Sequence, residues 1–89
     1  MKVLNKYKDD IEEAIYIGRP SRWGNPFVLG LDGNRDDVII KYRKWVAAQP
    51  ALQKAMRDEL TGHDLWCYCA PKTCHGDVIV EVCEGRFNG

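Results

Sequence analysis

The chain has 89 residues, with 13 basic and 13 acidic side chains and an apolar fraction of 45%. That length holds one domain with a modest core, and the zero net charge argues against the broad positive field that a protein coating extended duplex DNA requires. No apolar run is long enough to cross a bilayer and the Met1 to Asn5 stretch lacks a signal-peptide pattern, so the expectation is a cytoplasmic protein without membrane contact, its four cysteines reduced.

Taken in order, residues 2–5 suit a short strand, and residues 7–13 a polar connection or helical turn that carries the acidic run Asp9, Asp10, Glu12 and Glu13. Ala14-Ile15-Tyr16-Ile17 is short, apolar and branched, and Gly18 and Pro20 stop it, which predicts a buried strand. Residues 19–27 hold two prolines and Gly24 and must form a shaped loop. A brief strand at Val28 and Leu29 is expected before the turn at Gly30-Leu31-Asp32-Gly33.

Asn34 or a following aspartate can cap a helix in which Val38, Ile39, Tyr42, Trp45 and Val46 share one face; its expected span is 34–48. Pro50 suits the first turn of a second helix over 51–60, closed by Thr61-Gly62. The apolar run from Leu65 predicts a strand parallel to the Ile15 strand, since two helices intervene. Val78-Ile79-Val80 favours a strand locally. However, His75, Val78, Ile79 and Val82 share a helical face and Gly85 suits a left-handed stop, so a helix over 74–84 is chosen. The fold expected is a single small α/β domain over residues 1–89, a mixed sheet with about three helices.

Chemistry-bearing residues gather in two stretches. In the first, Arg19 and Arg22 offer charged donors for an anion, Trp23 and Phe27 offer flat faces, and Asn25 offers a paired donor and acceptor, a set suited to a flat anionic ligand. Against this stands the plainer reading that Trp23 and Phe27 anchor the loop to the core while Asn25 bonds its own backbone. Arg35 lies nearby and could add to an anion pocket.

The second stretch is the turn from Cys67 to Asp77. Cys67, Cys69, Cys74 and His75 are zinc-type ligands, but Cys67 and Cys69 in a regular strand would sit about 7 Å apart along it, too far for one tetrahedral ion unless the strand kinks. Cys69 or Cys74 could instead be an activated thiol, lowered by a helix N-terminus and by His75, with Asp77 orienting the imidazole or accepting a proton. Free amides after an N-cap at Thr73, with Gly76 permitting close approach, could hold an anion. Buried cysteines serving only as small apolar residues remain the plain alternative. Cys83, about half a turn away from Cys74 on the proposed helix, should not join the same site.

Tyr16-Ile17-Gly18-Arg19-Pro20-Ser21-Arg22-Trp23-Gly24-Asn25-Pro26-Phe27, then Arg35 ahead of Tyr42-Arg43-Lys44-Trp45, then Leu65-Trp66-Cys67-Tyr68-Cys69-Ala70-Pro71 and Cys74-His75-Gly76-Asp77, resemble a small family of uncharacterised bacteriophage and bacterial domains, a domain of unknown function. The resemblance covers about residues 14–82. It implies a phage or bacterial source and carries no activity; where the family usually has Cys-Trp-Cys, this chain has Cys67-Tyr68-Cys69.

Together these readings predict one pocket built from both stretches at the ends of strands. Its expected ligand is small, anionic and nucleotide-like, held by Arg19, Arg22, Trp23, Asn25 and Phe27, with Cys69, Cys74, His75 and Asp77 on the reactive side of a hydrolase or transferase. No cofactor is expected, with zinc on Cys67, Cys69, Cys74 and His75 as the conditional exception. The alternative is a module that binds a host protein, in which both motifs only build the scaffold.

Overall fold

The computed structural model describes residues 1–68 and 74–88. The element order is β1 (Val3–Asn5), β2 (Ile15–Tyr16), α1 (Arg35–Ala47), α2 (Pro50–Leu60), β3 (Leu65–Cys67) and α3 (His75–Cys83). This is the small α/β domain with three helices that the residue pattern predicts. β3 lies between the other two strands, with Val3 and Ile15 both in register with Leu65, and both pairings are parallel. The long connection through α1 and α2 is what permits the parallel return of β3 beside β2. The expected mixture of strand directions is absent among the described residues.

The helix boundaries have local causes. Asn34 accepts from the Asp37 amide while Asp37 reaches back to the Asn34 amide, a reciprocal cap that satisfies two otherwise orphaned donors of α1. Pro50 opens α2, where its missing N–H costs nothing. The contested segment after Cys74 is helical because Val78, Ile79 and Val82 all enter the core from one face of α3. Gly85 then takes φ +76°, the left-handed conformation that suits glycine at a helix end.

Val28 and Leu29 depart from the expected strand. The Asp32 carboxylate accepts from the Val28 amide at 2.7 Å, and the Asp32 amide donates to the Val28 carbonyl at 2.8 Å. Both backbone groups are thus used inside a turn and are withheld from a ladder.

The core lies where α1, α2 and α3 meet one another and β3. Tyr42, Val46, Met56, Leu60, Leu65, Ile79 and Val82 fill it, joined by Ile17 and Trp23 from the loop after β2. Fully burying an aliphatic side chain of this kind contributes about 1.5–3 kcal/mol, so a domain this small depends on each of them. Phe87 packs against the same cluster, with the Arg43 guanidinium over its ring. Gly76 sets the spacing between α3 and the sheet: a Cβ there would lie 2.9 Å from Ile17 Cδ1 and 3.0 Å from Val3 Cγ1.

Candidate functional site

All three strands point their C-terminal ends toward one edge of the sheet, and the chain leaves β2 and β3 there in the two stretches that carry the chemistry. In an open parallel sheet that edge is where loops diverge and a crevice forms. A cavity of about 380 Å³ occupies it. Tyr16, Gly18, Arg19, Asn25, Phe27 and Leu29 form one wall, Arg35, Val38 and Ile39 of α1 a second, and Cys67, Tyr68, Cys74 and His75 a third. The arginine-bearing loop and the Cys-His segment therefore share one hollow, although 39 residues lie between Asn25 and Leu65 at the start of β3. The described lining holds two arginines and no carboxylate.

Each expected ligand-binding residue has a definite place. Arg19 is exposed at the cavity rim, and its carbonyl accepts from the Tyr16 hydroxyl at 2.6 Å. Asn25 lines the cavity with its side chain engaged: Nδ2 donates to the Val38 carbonyl at 3.1 Å and Oδ1 accepts from the Phe27 amide at 2.9 Å. It is a brace that aligns Phe27 and the loop against α1.

Trp23 and Arg22 are not among the lining residues. Trp23 is only 6% exposed and belongs to the core, because its large apolar surface contributes more there than at a rim in so small a domain. Arg22 lies over the outer face of the Trp23 ring, 4.8 Å from its centroid, and pairs with Glu59 at 3.2 Å.

On the third wall, Thr73, the expected cap, lies outside the described residues, and Cys74 is the N-cap of α3. Its sulfur accepts from the Gly76 amide at 3.3 Å, and its own amide donates to Asp77 Oδ2 at 3.1 Å. One helix-terminal amide that was expected to hold an anion is thus occupied by sulfur. Asp77 completes the cap and is exposed, lining a separate shallow hollow with Met1, Val3 and Val80, away from the cavity.

Cys67 Sγ and Cys74 Sγ lie 3.6 Å apart. The contact with Cys67 and the burial of Cys74 both push the Cys74 thiol well above its ordinary range, against the smaller opposing effect of the Gly76 amide. This argues against a resting thiolate at Cys74. Cys69 lies outside the described residues. Cys83 sits at the far end of α3, where its thiol donates to the Met56 carbonyl at 3.4 Å.

His75 Nε2 lies 2.7 Å from the Ile17 carbonyl, which can only accept, so Nε2 carries the proton. Burial lowers the imidazole pKa, partly opposed by that hydrogen bond. A neutral ring with Nε2 protonated leaves Nδ1 as its basic atom. The Tyr42 ring meets the imidazole edge-on at 5.2 Å between centroids.

For zinc, the 3.6 Å between the two sulfurs is compatible with one tetrahedral ion, for which bonds of about 2.3 Å imply a sulfur separation near 3.75 Å. His75 Nε2 faces Ile17 instead, and among the described residues no group of three or more His, Cys, Asp or Glu is placed to hold a metal.

Sequence reasoning missed Tyr16, Tyr68, Leu29 and Ile39 as lining residues. Tyr16 packs on Trp66 with the rings tilted and 4.4 Å between centroids, and Trp66 and Tyr68 meet edge-on at 5.6 Å. For Tyr16 and Tyr68 the available signal was their position at the carboxyl ends of β2 and β3.

This arrangement defines the class: a small parallel α/β domain with its cavity at the carboxyl edge of the sheet. The chain belongs to the DUF4326 family, a domain of unknown function, whose pattern matches residues 3–85. It is similar, at 36% identity over 90 residues, to "Uncharacterized 12.4 kDa protein in nrdA-td intergenic region" of Enterobacteria phage T4; the match covers 97% of this chain and 80% of that protein. No solved structure matches the chain. Among the described residues no helix is long and apolar enough to cross a membrane.

Proposed function

We propose that this domain binds a small anionic, nucleotide-like ligand in the cavity between the Arg19 loop and the Cys67–His75 wall, in the cytoplasm of a bacterium or of a phage-infected cell. The observation that carries the reading is the lining itself. Arg19 and Arg35 supply positive charge, while Phe27, Leu29, Val38, Ile39 and Tyr68 supply apolar and flat surface. A few polar groups converging on a mostly apolar hollow is the usual composition of a small-ligand site. Arg19 would meet the anion, Phe27 or Tyr68 would cover the planar part, and His75 would face it from the third wall.

Binding is favoured over covalent thiol catalysis, because burial and Cys67 hold Cys74 in its protonated form. A hydrolase or transferase at this site would use neutral His75 as its proton acceptor. Calorimetric titration with nucleoside mono- and diphosphates, ADP-ribose and inorganic phosphate tests the reading. Saturable binding of one of the organic anions, lost on adding Arg19→Ala, supports it; no binding by any of them overturns it.

A second reading, contact with a host protein, draws on the exposure of Tyr7, Leu29, Leu31 and Tyr68, with Tyr7 and Tyr68 in ring contact at 5.8 Å. A stoichiometric partner lost on Tyr68→Ala and Leu31→Ser, and kept on Arg19→Ala, would favour that reading.

A further inference from the structure

We propose that Cys67 and Cys74 form a dithiol–disulfide couple in the cavity wall, oxidised by exchange with a low-molecular-weight disulfide. The inference does not depend on what else the cavity binds. Cys67 ends β3 and Cys74 caps α3, and the fold brings their sulfurs to 3.6 Å. Both are thiols, and both are almost fully buried from bulk solvent yet line the cavity, which gives a small reagent a route to them. Closing to a disulfide bond of about 2.05 Å needs the sulfurs to approach by roughly 1.5 Å, within the range of side-chain rotation. Cys83, the other described thiol, is turned to Met56 at the far end of α3 and does not compete.

Cys74 rests protonated, so the reaction runs through its small ionised fraction, whose Sγ accepts from the Gly76 amide at 3.3 Å and serves as the attacking atom. Cys74 loses its proton to solvent and its sulfur bonds to one reagent sulfur; the reagent S–S bond breaks and the first reagent thiolate leaves and takes up a proton. Cys67 then loses its proton and attacks the Cys74 sulfur of the mixed disulfide, forming the internal S–S bond and expelling the second reagent thiol. Two electrons pass from the protein pair to the reagent, which ends as two thiols. The new bond joins the end of β3 directly to the start of α3, so one wall of the cavity exists in a reduced and an oxidised form.

The test uses the full chain carrying Cys69→Ser and Cys83→Ser, so that only this pair remains, treated with oxidised glutathione and followed by intact mass and peptide mapping. The expected product is two hydrogens lighter, with the Cys67 and Cys74 peptides linked, and it forms at least about tenfold faster in the native protein than in urea because the fold holds the sulfurs together. Adding Cys67→Ser should leave a lasting glutathione adduct on Cys74, because the resolving thiol is gone. A native double variant that retains glutathione without internal bond formation, that does not react at all, or that closes no faster than the unfolded chain overturns the proposal.

Discussion

The His75 imidazole and the Ile17 carbonyl, 58 residues apart in sequence, are joined by a 2.7 Å hydrogen bond that ties the first turn of α3 to the residue following β2. This bond locks together the two stretches that line the cavity. It also fixes the imidazole tautomer, so that the same contact that closes the fold determines which nitrogen is basic.

Stability should depend on pH through His75. Burial lowers its folded pKa below the ordinary 6.5, so the unfolded chain binds more protons between the folded and unfolded values. The contribution is therefore fully present above about pH 6.5 and is lost as pH falls through that value toward the folded pKa. The urea midpoint is expected to be lower at pH 5.5 than at pH 7.5, and His75→Gln, which retains a donor for Ile17, should flatten the difference. An unchanged slope in the variant would assign the effect to other groups.

Arg19 and Arg22 are three residues apart, yet only Arg19 borders the cavity. A charge-assisted hydrogen bond contributes about 1.5–3 kcal/mol, so Arg19→Ala should weaken binding of an anionic ligand by roughly 10- to 100-fold. Arg22→Ala should leave binding unchanged and alter stability by at most about 1 kcal/mol, as expected for its exposed pair with Glu59. Calorimetry and urea unfolding on the same two variants separate the effects. Equal losses of affinity would place the anion outside this cavity.

The Tyr42 hydroxyl donates to the Trp23 carbonyl at 2.7 Å, with both residues in the core. Burial raises the Tyr42 pKa, so the phenol remains a donor at all ordinary pH values. Tyr42→Phe leaves a buried carbonyl without its partner and should cost about 1–3 kcal/mol. Trp23→Ala removes a large core side chain and should cost about 3–5 kcal/mol. Urea unfolding measures both, and a near-neutral Trp23→Ala would contradict its placement in the core.

Where periodicity or turn chemistry acts locally, the fold was readable in advance. α1 has its apolar stripe and Asn34 cap, α2 its opening proline, and the long helical crossover before β3 leaves room for the parallel return. The Val28 and Leu29 error arose because a single carboxylate, Asp32, claimed the Val28 amide, a competition that β propensity does not register. For the site, the meeting of the two stretches was legible because both follow strands of one sheet. The division of labour inside the loop was not. Arg19 and Arg22, or Trp23 and Phe27, offer equivalent chemistry on paper, and only the packing of Trp23 against Tyr42 and its neighbours decides which of them face the hollow. Tyr16 and Tyr68 went unnoticed because an aromatic residue at a strand end looks like core until the sheet edge is known.

Asp77 gives the clearest separation of scaffold from chemistry. Sequence spacing grouped it with His75 as a catalytic partner, whereas its carboxylate accepts from the Cys74 amide and closes the cap of α3 on the side away from the cavity. Asp77→Ala should lower stability by about 0.5–2 kcal/mol, the usual effect of losing a helix cap, because the Cys74 amide loses its acceptor and the negative charge favoured at a helix N-terminus disappears. Ligand affinity at a temperature where the variant remains folded should stay within about twofold of the parent chain, a difference of under about 0.5 kcal/mol. A variant that unfolds at the parental midpoint but loses binding or turnover would return Asp77 to the reacting side. The expected pattern of lower stability with affinity retained makes it the foundation on which Cys74 and His75 are presented to the cavity.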